Sequence, residues 1–279
     1  MWVGQQLADG LDFWGFWGSL ILGGIILGIY TGLLGYVGAK TGLSLDLLSQ
    51  RAFGEKGSYL PSAMTSFTQI GWFSVGSFVS GGTATPNFAR FAKNGKSGAI
   101  TTVVAFFIGN SLMFFFGAVS SIFVGGNDIF EVMVRLNLFY LAVLVLGLNI
   151  WTTNDNALYT AGLGLANIFH QRKKPMVLLS GIIGTVASVW LYYNFCGWLN
   201  ILNCTLPPVG MILVLAYFMN KEDFETDQPK LKTIDWFAVA GVILGAIVAN
   251  LLHWGIASIN GMVVAAVCYC VGQAVNKRK

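Results

Sequence analysis

Apolar residues run through this chain in stretches of roughly 20 residues, separated by short polar connections, without the residue-by-residue alternation of a barrel strand. A hydrocarbon core near 30 Å thick takes about 20 residues of apolar helix to cross, so the runs predict membrane-spanning helices. They fall at 13–38, 59–82, 99–124, 136–168, 176–194, 196–219, 235–253 and 256–275, about eight in all. Each is read as a helix because an open strand edge leaves backbone groups unpaired in lipid. The pattern predicts an all-α integral membrane protein with a single transmembrane domain over 1–279.

Composition agrees. Hydrophobic residues make up 55% and charged residues 10% of the 279 positions, and mean hydropathy is +0.68. Soluble domains carry roughly 25% charge. The net charge of +4 lies in the connections, where it reports topology rather than nucleic-acid binding. Cys196, Cys204, Cys268 and Cys270 sit in apolar stretches without zinc-type spacing and read as packing residues. His170 and His253 stand at segment ends, outside any HExxH arrangement, and no Gly-rich phosphate loop occurs. Neither an intramembrane hydrolase nor an ATP-driven pump is indicated, and the chain is not read as an enzyme. Met1 to Gln6 lack the basic region of a signal peptide, so none is expected.

Charge placement adds a topological test. Lys277-Arg278-Lys279 predict a cytoplasmic C-terminus, and alternation holds back through Arg172-Lys173-Lys174 to Arg90, Lys93 and Lys96. It then fails. The connection before 59–82 carries Lys40, Arg51 and Lys56 against Asp46 and Glu55, so two successive basic connections flank one apparent crossing. Either this segment is re-entrant, or a stretch holding an odd number of crossings is missing from it. Elsewhere, Gly24, Gly28, Gly32 and Gly35 share one helix face and predict close backbone packing, and Pro207-Pro208 predict a bend.

Polar groups at membrane depth are costly and usually face a bundle interior or a cavity. One cluster runs from Thr68 to Gly82. Gln69 and Trp72 are three apart, on one helix face, where an amide and a wide ring can read the edge and face of a flat heterocycle. Gln69 bonding a neighbouring helix, with Trp72 filling space, is the equal alternative. The glycines from Gly76 to Gly82 permit local unwinding. A second cluster spans Leu148 to Asn156. Asn149, Thr152, Thr153, Asn156 and Thr160 form a polar stripe of neutral oxygens suited to a small cation. Asp155 is a carboxylate deep in this segment, open to roles as a neutralised buried acid, a proton carrier or a substrate contact.

At these clusters the chain resembles the cytosine permeases of the nucleobase:cation symporter-1 family. The similarity is carried by Gly28 to Gly42, by Thr68-Gln69-Ile70-Gly71-Trp72-Phe73, by Leu148 to Tyr159, and by Leu206-Pro207-Pro208-Val209-Gly210 onward. The resemblance implies a LeuT-like inverted-repeat bundle of about twelve helices that takes up cytosine with a sodium ion, the alternatives being a transport-inactive member of the family or a transporter of a purine, uracil, allantoin or a hydantoin. It implies substrate contacts at Gln69, Trp72, Ser77, Phe78 and Asn154, and sodium ligands at Asn149, Thr152 and Thr153. The expected partners are a small nucleobase and the cell membrane's bilayer. No resident cofactor, no nucleic acid and no obligate protein partner are implied, and sodium enters only as coupling ion. Two departures go with it. The chain opens about midway through the family's first helix. Gly71-Trp72-Phe73 resembles the family's third helix and Val75 to Ser80 its sixth, so the bundle is expected to be incomplete, with a deletion junction near 73–76. Asn87 also stands where the family has an aspartate.

Overall fold

The computed structural model describes residues 10–75, 81–125, 129–226, 229, 231–252 and 254–276, and among these every regular element is helical. The long helices are α1 (Phe13–Thr41), α3 (Tyr59–Val75), α4 (Gly95–Val124), α6 (Phe139–Phe169), α7 (Lys173–Tyr193), α8 (Phe195–Met219), α9 (Trp236–Leu251) and α10 (Ala257–Asn276). Two short helices, α2 (Leu45–Phe53) and α5 (Ile129–Arg135), lie in connections. Among the described residues, 5 helices are long and apolar enough to cross a membrane, and α9 is a shorter apolar helix.

Local chemistry sets the helix ends. Asp12 accepts a hydrogen bond from Gly15 N at 3.0 Å and opens α1, while Gly42, at φ +69°, closes it by donating to Gly38 O. Asn94 caps α4 by accepting from Ser97 N at 2.8 Å. The glycine ridge of α1 packs on α4. A Cβ at Gly32 would lie 2.6 Å from Val103, and one at Gly35 would lie 2.4 Å from Thr102 and 3.0 Å from Gly98 O. Helix α4 contains a π-turn over Val104–Gly109, which includes the Phe107 ring facing Gly24. Helices α1, α2, α8, α9 and α10 share the main core, built around Leu34, Phe53, Ile212, Tyr217 and Tyr269. Pro207 and Pro208 lie inside an unbroken α8.

The basic connections gather at one end of the bundle. Glu55 N and Lys56 N donate to Lys232 O and Thr233 O, Arg51 donates to Asp223 O, and Lys40 pairs with Glu225 at 3.8 Å. Tyr59 meets His170 edge to face, and Leu45 N donates to Asn87 Oδ1 at 2.8 Å. Residues 59 and 87 therefore lie at the same end. Helix α3 departs from it, and residue 87 lies at it again, so the basic connections on both sides of 59–82 share one end of the bundle.

Helices α3 and α6 run antiparallel. Ser58 and Ser62 accept from Asn167 Nδ2 at 3.0 and 2.9 Å, and Ser66 donates to Ala161 O at 3.1 Å. Gly164 admits this approach, because a Cβ there would lie 2.2 Å from Ser66 Oγ.

Candidate functional site

Continuing the antiparallel register brings Gln69 to the depth of Ala157 and Leu158, and the backbone of Trp72 and Phe73 to the depth of Asn154 and Asp155. The two polar clusters thus lie side by side, although they are far apart in sequence. Gln69 is buried at 7% exposure. Asn154 is half-buried with its Oδ1 buried and unpartnered, and one helical face further on Thr160 Oγ1 is also buried without a partner. An unpaired buried acceptor or hydroxyl costs about 1–3 kcal/mol, so such atoms mark places where another group is expected.

Next to Gln69, Gly71 holds a ring that the sequence reading did not anticipate. Trp198 of α8 is 3% exposed and lies against Gly71, where a Cβ would come within 2.3 Å of its Cζ2. Trp198 also packs with Ala157, Leu191, Leu202 and Leu206. The bare glycine before Trp72 was the sequence signal that a large group from elsewhere approaches this face.

The side chain of Trp72, and all of Ser77 and Phe78, lie outside the described residues. Of the oxygens expected to meet sodium, Thr153 is half-buried while Asn149 and Thr152 are exposed, and Thr152 Oγ1 donates to its own helix at Leu148 O and Asn149 O. Asp155 and Asn156 are exposed too. Along α6 the residues before Ala157 are largely uncovered and those from Ala157 onward largely covered. A cavity of about 240 Å³ lies nearby between α1, α8 and α10, lined by Leu27, Tyr30, Thr83, Asn203, Leu206 and Pro207 among others. The Tyr30 and Thr83 hydroxyls meet there at 2.8 Å.

A second polar group, unforeseen in the sequence, occupies the charged end. Asp46 on α2 is 5% exposed and accepts from Ser62 Oγ at 2.6 Å. Burial pushes its carboxyl up to about 6, against the lowering influence of the Ser62 hydroxyl, its own backbone amide and Arg90. Gln50 Nε2 donates to Asn167 Oδ1 at 2.6 Å, so Asn167 ties α2, α3 and α6 together. Asn87 caps α2 through Leu45 N.

With this geometry in view, comparison with known proteins is decisive about family. A family described as permeases for cytosine/purines, uracil, thiamine and allantoin matches residues 1–83 and 74–275. The chain belongs to this family. The cytosine permease of Escherichia coli strain K12 is 35% identical over an alignment covering 100% of this chain and 88% of the relative, and that of Escherichia coli O157:H7 matches to the same extent. The alignment runs over 372 positions against 279 residues, so the relative carries residues that this chain lacks. The two family matches meet at 74–83, between α3 and the returning turns.

Among solved structures, the nucleobase-cation-symport-1 transporter Mhp1, in a closed conformation with bromovinylhydantoin bound, aligns with a TM-score of 0.75. The identity is 14%, over 97% of this chain and 87% of Mhp1, and the likeness establishes the LeuT-like fold. The chain is thus a member of a permease family, multi-pass in the membrane and related to permeases rather than enzymes.

Proposed function

We propose that this chain binds cytosine between α3 and α6 and is a secondary transporter of that base. Gln69 reads the base edge, Asn154 completes the hydrogen bonding, Trp72 supplies the stacking face, and Ser77 and Phe78 close the pocket. One observation carries the reading: Asn154 Oδ1 is a buried oxygen without a partner, at the depth where the register sets α3's Gln69-to-Phe73 turn. A flat heterocycle with an exocyclic amine supplies the donor that this oxygen lacks. Asn149, Thr152 and Thr153 are proposed to couple uptake to sodium, with the C-terminus in the cytoplasm and the join between half-helices near 73–76.

A second reading is a transport-inactive product of the same family. It is favoured by the exposure of Asn149, Thr152, Asp155 and Asn156, since polar groups facing hydrocarbon leave a site open. Purified protein separates the two. A ligand that binds only the folded state raises the melting temperature, so cytosine is expected to stabilise it and Asn154→Ala to abolish that shift. Sodium-dependent cytosine uptake above an empty vector supports transport. A thermal shift without uptake supports the inactive reading, and no shift with any base overturns the site. Uracil, a purine, allantoin and a hydantoin are run alongside to identify the base.

A further inference from the structure

Two cations converge on one tyrosine at the basic end of the bundle, where the Tyr59–His170 contact places the connection between α6 and α7. Arg90, half-buried, donates through Nη2 to Tyr159 OH, and its Nε is buried without a partner. Lys173 is exposed, with its Nζ 3.7 Å over the face of the same ring. Neither cation has an ion pair among the described residues, whereas Lys40, Arg135 and Lys232 each have one. Tyr159 OH accepts from Arg90 and so keeps its own proton to donate. Helix α7 also begins here. Its N-cap, Arg172, offers no side-chain acceptor, so the first turn adds backbone donors and the positive end of a helix dipole. All of these groups favour an anion.

The surface that continues from them along α7 is apolar. Helices α6 and α7 leave a groove of about 450 Å³ lined by Leu158, Val177, Gly181, Ile182, Thr185 and Val186. Leu158 adjoins Tyr159, and Val177 and Gly181 follow Lys173 by one and two turns, so one face of α7 carries both the cation and the groove. Gly181 makes the hollow: an added Cβ there would meet nothing closer than Leu158 Cδ2 at 3.6 Å, whereas at Gly162 it would meet Val177 at 2.3 Å. Thr185 Oγ1 donates to Gly181 O, so its hydroxyl is already satisfied within α7. From Val177 to Val186 the groove runs about 14 Å. That is close to one leaflet of a hydrocarbon core about 30 Å thick. Cations above an apolar slot match a phospholipid, and the unpaired charges select an anionic one. The geometry points to a site for an anionic phospholipid, with Lys173, Arg90 and the Tyr159 hydroxyl on the headgroup phosphate and one acyl chain along the groove between α6 and α7. It does not depend on which base is bound, or on whether any is.

The test is native mass spectrometry of the full chain in detergent, given equal amounts of phosphatidylglycerol and phosphatidylcholine with matched acyl chains. Phosphatidylglycerol is expected to be retained about tenfold or more over phosphatidylcholine. Lys173→Gln and Arg90→Gln are each expected to reduce that preference about fivefold. Lys56→Gln, which removes a charge from the same end outside the site, is expected to leave it unchanged. Gly181→Leu fills the groove without touching the charges and is expected to lower the retention of both lipids. Equal retention of the two lipids by the parent overturns the site. So does a loss on Lys56→Gln equal to that on Lys173→Gln, which would mean diffuse attraction to the surface, and so does undiminished retention in Gly181→Leu. Inorganic phosphate that displaces the lipid at equal concentration assigns the cations to free phosphate and overturns the lipid site. If Arg90→Gln yields no folded protein, Lys173→Gln, at an exposed residue, decides.

Discussion

The ring of Trp198 occupies the space that a side chain on Gly71 would need: a Cβ there would lie 2.3 Å from Cζ2 and 2.6 Å from Cε2. Trp198 is held from behind by Leu191, Leu202 and Leu206, so it has little room to retreat. Overpacking a filled core costs about 1–3 kcal/mol. Gly71→Ala is therefore expected to lower the unfolding temperature although alanine is the better helix former. The same substitution is expected to weaken any stabilisation by cytosine, because it displaces the helix that carries Gln69. A Gly71→Ala protein as stable as the parent would show that the ring is not fixed against α3.

Asn167 spends its whole amide on the junction of α2, α3 and α6. It accepts from Gln50 and donates to Ser58 and Ser62. Replacing it by leucine keeps the bulk and removes three part-buried bonds, each worth about 1 kcal/mol, although Ser58 and Ser62 keep their bonds to Glu55 O and Asp46. Asn167→Leu is expected to cost on the order of 3 kcal/mol by chemical or thermal unfolding in detergent. Gln50→Leu, which removes one of these bonds at a part-buried site, is expected to cost less than half of that.

Much of the scaffold was legible because lipid imposes a simple rule: apolar runs must be helices of bilayer length. The runs at 13–38, 99–124 and 196–219 correspond to Phe13–Thr41, Gly95–Val124 and Phe195–Met219. Charge alone marked 59–82 as anomalous, and both of its flanks do lie at one end of the bundle. What escaped was outside the apolar runs. Helix α2 was read only for its charges, although Ser44 stands as an N-cap before Leu45, Leu48, Ala52 and Phe53 at helical spacing. Asp46 consequently counts there only as a connection charge, since nothing in a connection's sequence says that it is buried. Trp198 was invisible for another reason, because contact between α8 and α3 depends on how helices distant in sequence pack.

The glycine ridge offers a comparison within one helix. At Gly28 an added Cβ meets nothing closer than Phe107 Cβ at 3.6 Å, an ordinary contact. At Gly35 it would meet Thr102 at 2.4 Å and the backbone oxygen of Gly98 at 3.0 Å. Alanine gains up to about 1 kcal/mol of helix propensity over glycine. Gly28→Ala is expected to be neutral or slightly stabilising, and Gly35→Ala destabilising by about 1–3 kcal/mol. Paired melting curves check this, and equal effects at both sites would show that the ridge does not set the spacing of α1 and α4.

Asp46 also predicts how stability varies with pH. Its carboxyl is raised from 3.8 to about 6, chiefly by burial, with Ser62, its own backbone amide and Arg90 working the other way. Below the unfolded value, both states carry the proton and the contribution is fully present. Between about pH 4 and 6 the unfolded chain releases its proton while the folded state keeps it, so stability falls as pH rises. The loss levels off above the folded value, at an upper bound of about 3 kcal/mol. Asp46→Asn is expected to flatten this part of the profile, and to do so without changing the pH dependence above pH 7. Arg90→Gln removes an influence that favours the ionised form, so it is expected to move the end of the decline to higher pH. Unfolding free energies measured from pH 4 to 8 for the parent and both variants check the sign. A profile that rises across this window in the parent and still rises in Asp46→Asn would mean that another carboxylate governs it.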